Sequence, residues 1–470
     1  MATAELIAET PVAAEVAELV ARSRAAQQQI ENATQEQVDT WIKGMVYAVC
    51  KPGMDEEIAR ETVEETQLGN YEGKFKKISV KTRATLMDII NDKSVGVIEE
   101  DRERNLVKIA KPVGVIGALS PSTNPVIKAI SAVKGRNSII ICPHPRAKFV
   151  NAKICNLMRD ALVKMGAPAD LVIPIEQPSV EKTNEVMKQC DRILATGGTP
   201  MVKAAYSSGT PALGVGVGNA VITVDDTADL DDAAAKILLS KTLDYAASCS
   251  SDNAVILLDA IYDKMLAKLQ EKGGFIIEGE DKTKLQNAIW EDGEHINAKV
   301  VAQSPQFIAD YAGFTIPEGT NFFIVPETGT GKEHPFSGEK MTVTMALYRA
   351  KDLDEAIELT NAIQAYQGQG HSCGIYSQSD ENIMKLAMHT KTSRVMVNQP
   401  QSASNSGNLW NGMRQTFSLG CGSWGGNATN NNVTWRDLIN ETWVSKPLPE
   451  HKVLPSDEDL FGKDIIELVG

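Results

Sequence analysis

The sequence predicts an α/β protein whose strands form parallel sheets. Short apolar runs rich in Val and Ile, such as Ser138–Cys142 and Ala220–Val224, alternate with helical stretches of roughly 10 to 18 residues. Turn-forming Gly, Pro, Ser and Asn cluster where strands end, for example at Ser120-Pro-Ser-Thr-Asn-Pro125. Because strands that alternate with helices build parallel sheets, we expect ligands to bind beyond the carboxyl ends of these strands.

The composition is that of a large acidic protein without membrane or nucleic-acid features. The chain has 470 residues and a formal net charge of -14, which disfavours a nucleic-acid surface. No apolar run approaches the roughly 20 residues that span a bilayer, and the N-terminus lacks the basic-then-apolar layout of a secretory signal. The 7 cysteines and 6 histidines are scattered, without C-x-x-C or H-E-x-x-H spacing. We therefore expect a cytoplasmic protein with no metal site.

The first 92 residues are predicted to be helical. Residues 3–32 favour one or two helices, broken near Pro11. Thr34-Gln-Glu-Gln37 has the form of a capping box and precedes a periodic apolar stretch, so a helix is predicted to begin there.

From residue 94 the apolar period changes to that of strands. Strands are predicted at 95–99, 106–111, 113–119, 138–142, 171–175 and 192–195, with helices at 126–134, 147–165, 179–189 and 201–207. Gly197 and Gly198 stand where the last of these strands meets its helix. Glycines there let a pyrophosphate approach the backbone N–H groups, although an ordinary tight turn needs them equally.

The second half continues the alternation. A glycine-rich run, Pro211-Ala-Leu-Gly-Val-Gly-Val-Gly-Asn219, lacks G-x-G-x-x-G spacing and is equally explained by close backbone packing beside a buried loop. Further strands are predicted at 220–224, 254–258, 275–278, 298–302, 321–325, 342–348 and 394–398, with helices at 228–241, 260–271, 281–290 and 353–364. Residues 399–432 are dense in Gly, Asn and Ser, but Trp410 and Trp424 indicate an ordered loop that lines a site.

Cys249 is the residue around which we interpret the chain. It lies in Ser248-Cys-Ser250, just before the apolar run Ala254–Leu258, so it is predicted at the entrance of a buried strand. A loop of small polar residues leaves such a thiol accessible to a ligand. The alternative is an ordinary buried cysteine that packs as a small hydrophobe.

Six motifs in chain order resemble those of the aldehyde dehydrogenase superfamily, most closely its CoA-acylating branch. The resemblance extends over nearly the full length and rests on Pro112-Val-Gly-Val-Ile-Gly117 with the Ser120–Pro125 loop, Ala195-Thr-Gly-Gly198, Ala212–Asn219, Cys249, Glu339-Lys-Met341 and Leu419-Gly-Cys-Gly-Ser-Trp-Gly-Gly-Asn427. It implies a Rossmann-type cofactor domain with N-terminal helices (1–222), a catalytic domain (223–425) and a C-terminal segment (426–470) that returns to the cofactor domain or a dimer interface. A homodimer or homotetramer is also implied.

The resemblance assigns Cys249 as the nucleophile. A thiolate that attacks an aldehyde gives a thiohemiacetal, whose oxyanion needs hydrogen-bond donors. The backbone N–H of Cys249 and a side chain at Thr123 or Asn124 are the candidates, and the sequence leaves open which of the two serves. Glu339 matches the family glutamate that holds the nicotinamide ribose; the alternative is a solvated carboxylate at the end of a strand.

The fate of the thioester separates the two branches of the superfamily. Hydrolytic members have a glutamate in an L-E-L-G-G-K-N motif that activates water, and Gly214 stands in its place here. Glycine cannot act as a general base, so the CoA thiol is the expected acyl acceptor. His371 is a candidate to assist deprotonation of that thiol, unless it only fixes its own loop.

The cofactor loops favour NADP and allow NAD. NAD-preferring relatives have Lys-Pro-x-Glu where this chain has Cys142-Pro-His-Pro-Arg146, so the carboxylate that would bind the ribose 2′-hydroxyl is replaced by Pro145. His144 and Arg146 add basic groups, although Arg146 is equally explained as a solvated residue at the start of a helix. Ser120 and Pro121, with Gly197, Gly198, Gly214 and Glu339, complete the predicted cofactor site.

The predicted substrate is a short anionic aldehyde. The overall pattern resembles acylating sulfoacetaldehyde and succinate-semialdehyde dehydrogenases. Arg414 is the candidate that binds the sulfonate or carboxylate, because its planar fork matches such oxyanions, and Trp410 and Asn411 are expected to shape the pocket. Arg414 favours sulfoacetaldehyde; a solvated Arg414 would fit an acetaldehyde- or propionaldehyde-acylating enzyme instead.

Overall fold

Strands in three sheets form the framework of the chain. The computed structural model describes residues 10–120 and 124–470. Within them the strands are β1 (Gly96–Asp101), β2 (Leu106–Pro112), β3 (Val115–Ser120), β4 (Ser138–Pro143), β5 (Val172–Pro174), β6 (Arg192–Thr196), β7 (Ala212–Val215), β8 (Ala220–Val224), β9 (Asp252–Leu258), β10 (Gly274–Ile276), β11 (Phe322–Pro326), β12 (Thr344–Ala350), β13 (Cys373–Tyr376), β14 (Val395–Val397) and β15 (Ile439–Ser445).

Helices precede and connect these strands. In the described ranges they are α1 (Pro11–Gln29), α2 (Gln35–Cys50), α3 (Met54–Thr66), α4 (Tyr71–Phe75), α5 (Lys81–Ile89), α6 (Val126–Lys134), α7 (Lys148–Lys164), α8 (Val180–Gln189), α9 (Thr199–Ser207), α10 (Leu230–Thr242), α11 (Tyr262–Glu271), α12 (Gly279–Ile289), α13 (Pro305–Ala312), α14 (Leu353–Tyr366), α15 (Asp380–His389), α16 (Gln401–Ser404), α17 (Asp457–Phe461) and α18 (Lys463–Val469). A π-helical turn, Lys76–Val80, joins α4 to α5. None of the described helices is both long and apolar enough to cross a membrane.

The first parallel sheet has five strands in the order β5-β4-β3-β6-β7. All of its strand pairs are parallel. β3 and β4 are buried along their whole length because helices pack on both faces, which explains their continuous apolar sequences. The chain runs outward from β3 to β5 and then returns to β6 beside β3. A ligand crevice is therefore expected where β3 and β6 end, the point at which the strand order reverses.

The second parallel sheet has seven strands in the order β10-β11-β12-β9-β8-β13-β14. Its central strand β9 is fully buried and lies between β8 and β12. Side chains of β11 and β12, including Phe322, Phe323, Met345 and Leu347, belong to a buried hydrophobic core. The loops that precede β9 and β12 contain Cys249 and Glu339, so the amino ends of this sheet present both residues.

A small antiparallel sheet, β1-β2-β15, joins the C-terminal segment to the N-terminal half. β15 pairs with β2 from Ile439 opposite Pro112 to Ser445 opposite Leu106. Beyond it, α17 and α18 lie entirely exposed.

The predicted alternation of strands and helices is confirmed, with local differences. The capping box of α2 forms as expected between Thr34 and Gln37. Pro11 begins α1, as proline suits the first turn of a helix. The strand predicted at 298–302 is wrong: these residues form turns, and Ala302 adopts a left-handed backbone with φ of 52° that a strand cannot accommodate. β7, β13 and β15 were not predicted.

Candidate active site

A cavity of about 1120 Å³ lies between the two parallel sheets. The carboxyl ends of the five-stranded sheet supply one wall through Ser120, Pro143 and Thr196. The opposite wall comes from loops before the seven-stranded sheet, with Cys249 ahead of β9 and Glu339 ahead of β12. Carboxyl ends of one sheet and amino ends of the other therefore face the same space, whereas the sequence predicted carboxyl ends alone.

The cavity wall is basic although the chain as a whole is acidic. Lys74, Lys76, Lys77 and Lys81 line it, and so does His144, which follows β4. Among the described residues of the wall, Glu339 is the single carboxylate. In a chain of net charge -14, this asymmetry favours anionic ligands inside the cavity.

Cys249 lies in a tight loop with a half-buried side chain. The loop is closed by a bond from the Ser251 N–H to the Ser248 carbonyl, 3.1 Å long. The glycine-rich run 216–218 packs directly against it: a Cβ at Gly218 would stand 1.9 Å from the Cys249 carbonyl oxygen. Close backbone packing, one of the two interpretations of this run, is thus present, and Gly216 and Val217 line the cavity as well.

A buried ion cluster holds the chain just before this loop. Asp244 is fully buried, and its carboxylate accepts hydrogen bonds from Lys74 Nζ at 2.8 Å, Lys77 Nζ at 2.6 Å and the Asn70 N–H at 2.9 Å. Lys77 Nζ also donates to the carbonyl of Ala247 at 2.7 Å. The cluster fixes a conformation that is costly by itself, because Asp244, Tyr245 and Ala246 all have positive φ.

His371 contacts the candidate nucleophile. Its Nε2 lies 3.2 Å from Cys249 Sγ, and its Nδ1 lies 2.9 Å from Ser372 Oγ. Burial, reinforced by Arg394, lowers the pKa of His371 to about 3. Burial also raises the pKa of Cys249 to about 12, with Glu339 and Cys421 adding to the rise and Arg394 opposing it. At neutral pH the resting pair is therefore a thiol beside an uncharged imidazole.

Glu339 lies in the cavity wall with an unsatisfied carboxylate. Its Oε1 is buried and has no hydrogen-bond partner among the described residues. Burial raises the pKa of Glu339 to about 8. A hydrogen bond from the backbone of Gly218 and the charges of Lys340 and Lys241 oppose this rise. A buried acceptor without a partner suits a ligand that brings hydroxyl donors, such as a ribose.

One of the two predicted oxyanion side chains lies differently from expectation. Asn124 is buried away from the cavity wall, and its amide donates to the Lys77 carbonyl at 3.2 Å and to Thr82 Oγ1 at 2.6 Å. Both of its donors are therefore committed to the protein. Thr123, like the predicted cofactor residue Pro121, lies outside the described residues.

The predicted cofactor residues divide into two groups. Ser120, His144, Gly197 and Gly198 line the cavity, and Gly198 begins α9 without a side-chain cap. Arg146 and Gly214 do not line it: Arg146 is exposed on a short turn. Gly214 lies in β7, where a Cβ would meet Val202 and Tyr206.

Of the three predicted substrate-binding residues, Trp410, Asn411 and Arg414, only Trp410 lines the cavity. Trp410 lines the wall, while Asn411 donates to Gln399 Oε1 and to the Ser404 carbonyl. Arg414 points elsewhere: its guanidinium pairs with Asp88 at 3.1 Å and Asp92 at 3.4 Å, and it is absent from the described cavity wall. Two carboxylates already neutralise this arginine, so it does not meet the expectation of an anion site.

The lysines of the cavity wall were not predicted. Lys74, Lys77 and Lys81 follow one another at three- and four-residue spacing, which places them on one face of a helix. A basic stripe on a helix in an acidic chain was a usable signal. Asp244, the partner of Lys74 and Lys77, could not be found in the same way, because it lies about 170 residues further along the chain.

The chain is similar to known proteins along most of its length. A model of the aldehyde dehydrogenase family matches residues 2–289. The chain is 42% identical over 459 residues to the acylating sulfoacetaldehyde dehydrogenase of Bilophila wadsworthia, covering 95% of this chain and 98% of that protein. It is 40% identical over 452 residues to the acetylating succinate-semialdehyde dehydrogenase of Clostridium kluyveri, covering 95% and 99%.

Solved structures match along almost the whole chain. The acetylating aldehyde dehydrogenase of Geobacillus thermoglucosidasius superposes with a TM-score of 0.90 at 36% identity, covering 94% of this chain and 98% of that one. The propionaldehyde dehydrogenase of Rhodopseudomonas palustris, solved with bound CoA and an acylated cysteine, has a TM-score of 0.82 at 26% identity and covers 92% and 97%.

Proposed function

The chain belongs to the aldehyde dehydrogenase family, as a CoA-acylating member, and from that premise we propose that it oxidises sulfoacetaldehyde to its acyl-CoA. The observation that carries the proposal is the contact of 3.2 Å between Cys249 Sγ and His371 Nε2 beside a cavity whose wall is basic. A thiol with a hydrogen-bonded base can attack an aldehyde, and basic walls favour an anionic one.

Cys249 attacks the aldehyde carbonyl carbon as His371 Nε2 accepts the thiol proton. Because burial disfavours both the free thiolate and the free imidazolium, proton transfer to His371 accompanies formation of the C–S bond, and the negative charge develops on the aldehyde oxygen. The thiohemiacetal oxygen then needs donors, and the Cys249 backbone N–H is the candidate that remains within the described chain. Asn124 serves indirectly by supporting the backbone of Lys77.

A nicotinamide cofactor, when bound, supplies the acceptor for the hydride that leaves the thiohemiacetal carbon. The residues present fit such a group: the buried Oε1 of Glu339 lacks a partner and can accept from ribose hydroxyls, and Gly197 and Gly198 open the start of α9. We favour NADP over NAD because, in the described wall, no carboxylate lies near His144.

The thioester on Cys249 passes to CoA. Of the described residues in the cavity wall, Glu339 is the only carboxylate, and the place of the hydrolytic glutamate is taken by Gly214 in β7. Water therefore lacks the glutamate base of the hydrolytic branch, whereas a thiol is a few per cent ionised at neutral pH and attacks readily. The CoA thiolate, whose proton has gone to solvent, attacks the thioester carbonyl carbon. The bond from that carbon to Cys249 Sγ breaks, and the proton held by His371 returns to Cys249 Sγ.

The charge of the cavity wall and the similarity to known enzymes support the choice of aldehyde. Sulfoacetaldehyde carries a sulfonate that suits the lysines of the cavity wall, and acylating sulfoacetaldehyde dehydrogenases are among the relatives at 42% identity. The alternative is succinate semialdehyde, favoured by the relative at 40% identity. An acetaldehyde or propionaldehyde substrate carries no charge for these lysines to bind. The 7 free cysteines suit a reducing cytoplasm, and we propose a homodimer or homotetramer there.

The experiment measures reduction of NADP+ and NAD+ with sulfoacetaldehyde, succinate semialdehyde and propionaldehyde, each with and without CoA. We expect the highest kcat/KM with sulfoacetaldehyde, a strict need for CoA, and acyl-CoA as the product detected by mass spectrometry. Comparable turnover without CoA would contradict the acylating function. A higher kcat/KM with propionaldehyde than with both anionic aldehydes would contradict the substrate class.

A further inference from the structure

Lys81, the first residue of α5, is a half-buried cation in the cavity wall. Its Nζ donates hydrogen bonds to the carbonyls of Ser406 and Gly407 and to Gln415 Oε1, at 2.5 to 2.6 Å. These three acceptors belong to the loop that carries Trp410. They supply dipoles but no negative charge, so the ammonium is hydrogen-bonded without being neutralised.

Asp88, the carboxylate that raises the pKa of Lys81, already has other hydrogen-bond partners. Asp88 raises the pKa of Lys81 only from a distance, and burial dominates, lowering that pKa to about 7. The Asp88 carboxylate pairs with Arg414 at 3.1 Å and accepts from the Gln415 N–H at 3.0 Å. Because Asp88 is paired with Arg414, its carboxylate does not neutralise Lys81.

The other lysines of the wall differ from Lys81 in this respect. Lys74 and Lys77 share the buried carboxylate of Asp244. Lys76 is exposed and hydrated, so its charge costs little. Lys81 alone among these four combines burial with the lack of a contacting carboxylate in the described chain. A buried cation of this kind is stabilised by an anion that enters the cavity with a ligand.

We infer that Lys81 determines specificity for anionic aldehydes, by acting as the counter-ion of the sulfonate or carboxylate while Cys249 binds the carbonyl. The inference deepens the proposed function and rests on it, and it assigns to Lys81 the role predicted for Arg414. The three carbonyl contacts hold the ammonium at one point, and Trp410, on the same loop, also lines the cavity.

Phosphates of CoA and of the nucleotide cofactor are the other anions that enter this cavity. They share the chemistry of a sulfonate, so the test must separate the three ligands. KM is therefore measured for each of them in turn with the other two saturating. An effect confined to the aldehyde supports the inference; a rise in KM for CoA or NADP+ with an unchanged KM for sulfoacetaldehyde overturns it.

The test compares Lys81→Met with two controls, using sulfoacetaldehyde and the uncharged propionaldehyde. For Lys81→Met we expect kcat/KM to fall by about tenfold or more with sulfoacetaldehyde and by less than about threefold with propionaldehyde, as expected for loss of one charge-assisted contact. Gln415→Leu removes one of the three loop contacts without changing charge, so it should affect both aldehydes alike. Lys76→Met removes an exposed charge of the same wall and should change the ratio little.

Two further outcomes overturn the assignment. An equal fall with both aldehydes in Lys81→Met would mean that Lys81 only holds the loop. A shift of the ratio in Lys76→Met as large as that in Lys81→Met would mean that the cavity attracts anions without a specific contact. Failure of the proposed function is separate, because it appears in the unsubstituted protein as turnover without CoA. Circular dichroism and thermal melting show whether each variant is folded.

Discussion

The two walls of the cavity are built in different ways, although both come from parallel sheets. The nucleotide-side wall consists of short turns at the carboxyl ends of β3, β4 and β6, with glycine and small polar residues. The catalytic wall consists of loops before β9 and β12, held by buried charges such as the Asp244 cluster. Substitutions should therefore have large effects in the catalytic wall and small effects in the nucleotide-side wall.

Loss of the nucleophile has the largest expected effect. Cys249→Ala should abolish aldehyde oxidation, because Cys142, the only other thiol in the described cavity wall, is buried in β4 on the opposite wall. The variant should still bind NADP+, measured by quenching of intrinsic fluorescence. Cys142→Ala is the control and should keep most of the activity. Retained turnover in Cys249→Ala would refute the assignment of the nucleophile.

The Asp244 cluster gives the next largest effect. Asp244→Asn leaves Lys74 and Lys77 buried without a full counter-charge, so we expect the free energy of unfolding to fall by about 3–5 kcal/mol. Chemical denaturation followed by circular dichroism measures it. Asp259→Asn removes an exposed carboxylate paired with Arg349 and should cost less than about 1 kcal/mol. An equal loss in the free energy of unfolding in both variants would show that the buried ion pairs of the catalytic wall stabilise the protein no more than an exposed pair.

His371 should affect chemistry more than binding. His371→Ala removes the base that contacts Cys249, and we expect kcat to fall by about 100-fold with a smaller change in the aldehyde KM. Steady-state kinetics at saturating CoA measure both quantities. Ser372→Ala removes only the partner of Nδ1 and should lower kcat by less. A kcat in His371→Ala close to that of the unsubstituted protein would assign this histidine to support of its own loop.

The smallest expected effect lies on the nucleotide side. Arg146 is exposed and outside the described cavity wall, so Arg146→Ala should raise the KM for NADP+ by no more than about threefold and leave that for NAD+ unchanged. Both values come from initial rates at fixed aldehyde and CoA. A tenfold or greater rise for NADP+ alone would show that Arg146 binds the 2′-phosphate after all, and would weaken the contrast between the walls.

The same contrast separates what sequence could predict from what it could not. Strands β3, β4 and β6 and their terminal loops follow from local apolar runs and turn residues, so Ser120, Gly197 and Gly198 were placed at the cavity correctly. β7 was missed because glycines weaken its apolar pattern, and β13 because it is only Cys373–Tyr376.

Residues held by distant partners were the least predictable. Arg414 was expected in the cavity on the strength of its chemistry, but Asp88 and Asp92, more than 300 positions earlier, take its guanidinium. Lys81 was not singled out because its acceptors are backbone carbonyls and an amide about 325 to 334 positions away. Neither pairing follows from local spacing, because only the folded chain brings these residues together.

The contact between Asp244 and the lysines of the N-terminal half also bears on how the enzyme is made. Residues 70–77 are synthesised long before Asp244. The ammonium groups of Lys74 and Lys77 therefore stay hydrated until Asp244 is available to pair with them. Docking of this segment then fixes the left-handed backbone of residues 244–246 and, three residues on, the thiol. A nascent or truncated chain that lacks either half therefore carries no assembled nucleophile, so the catalytic cysteine matures only with the completed fold.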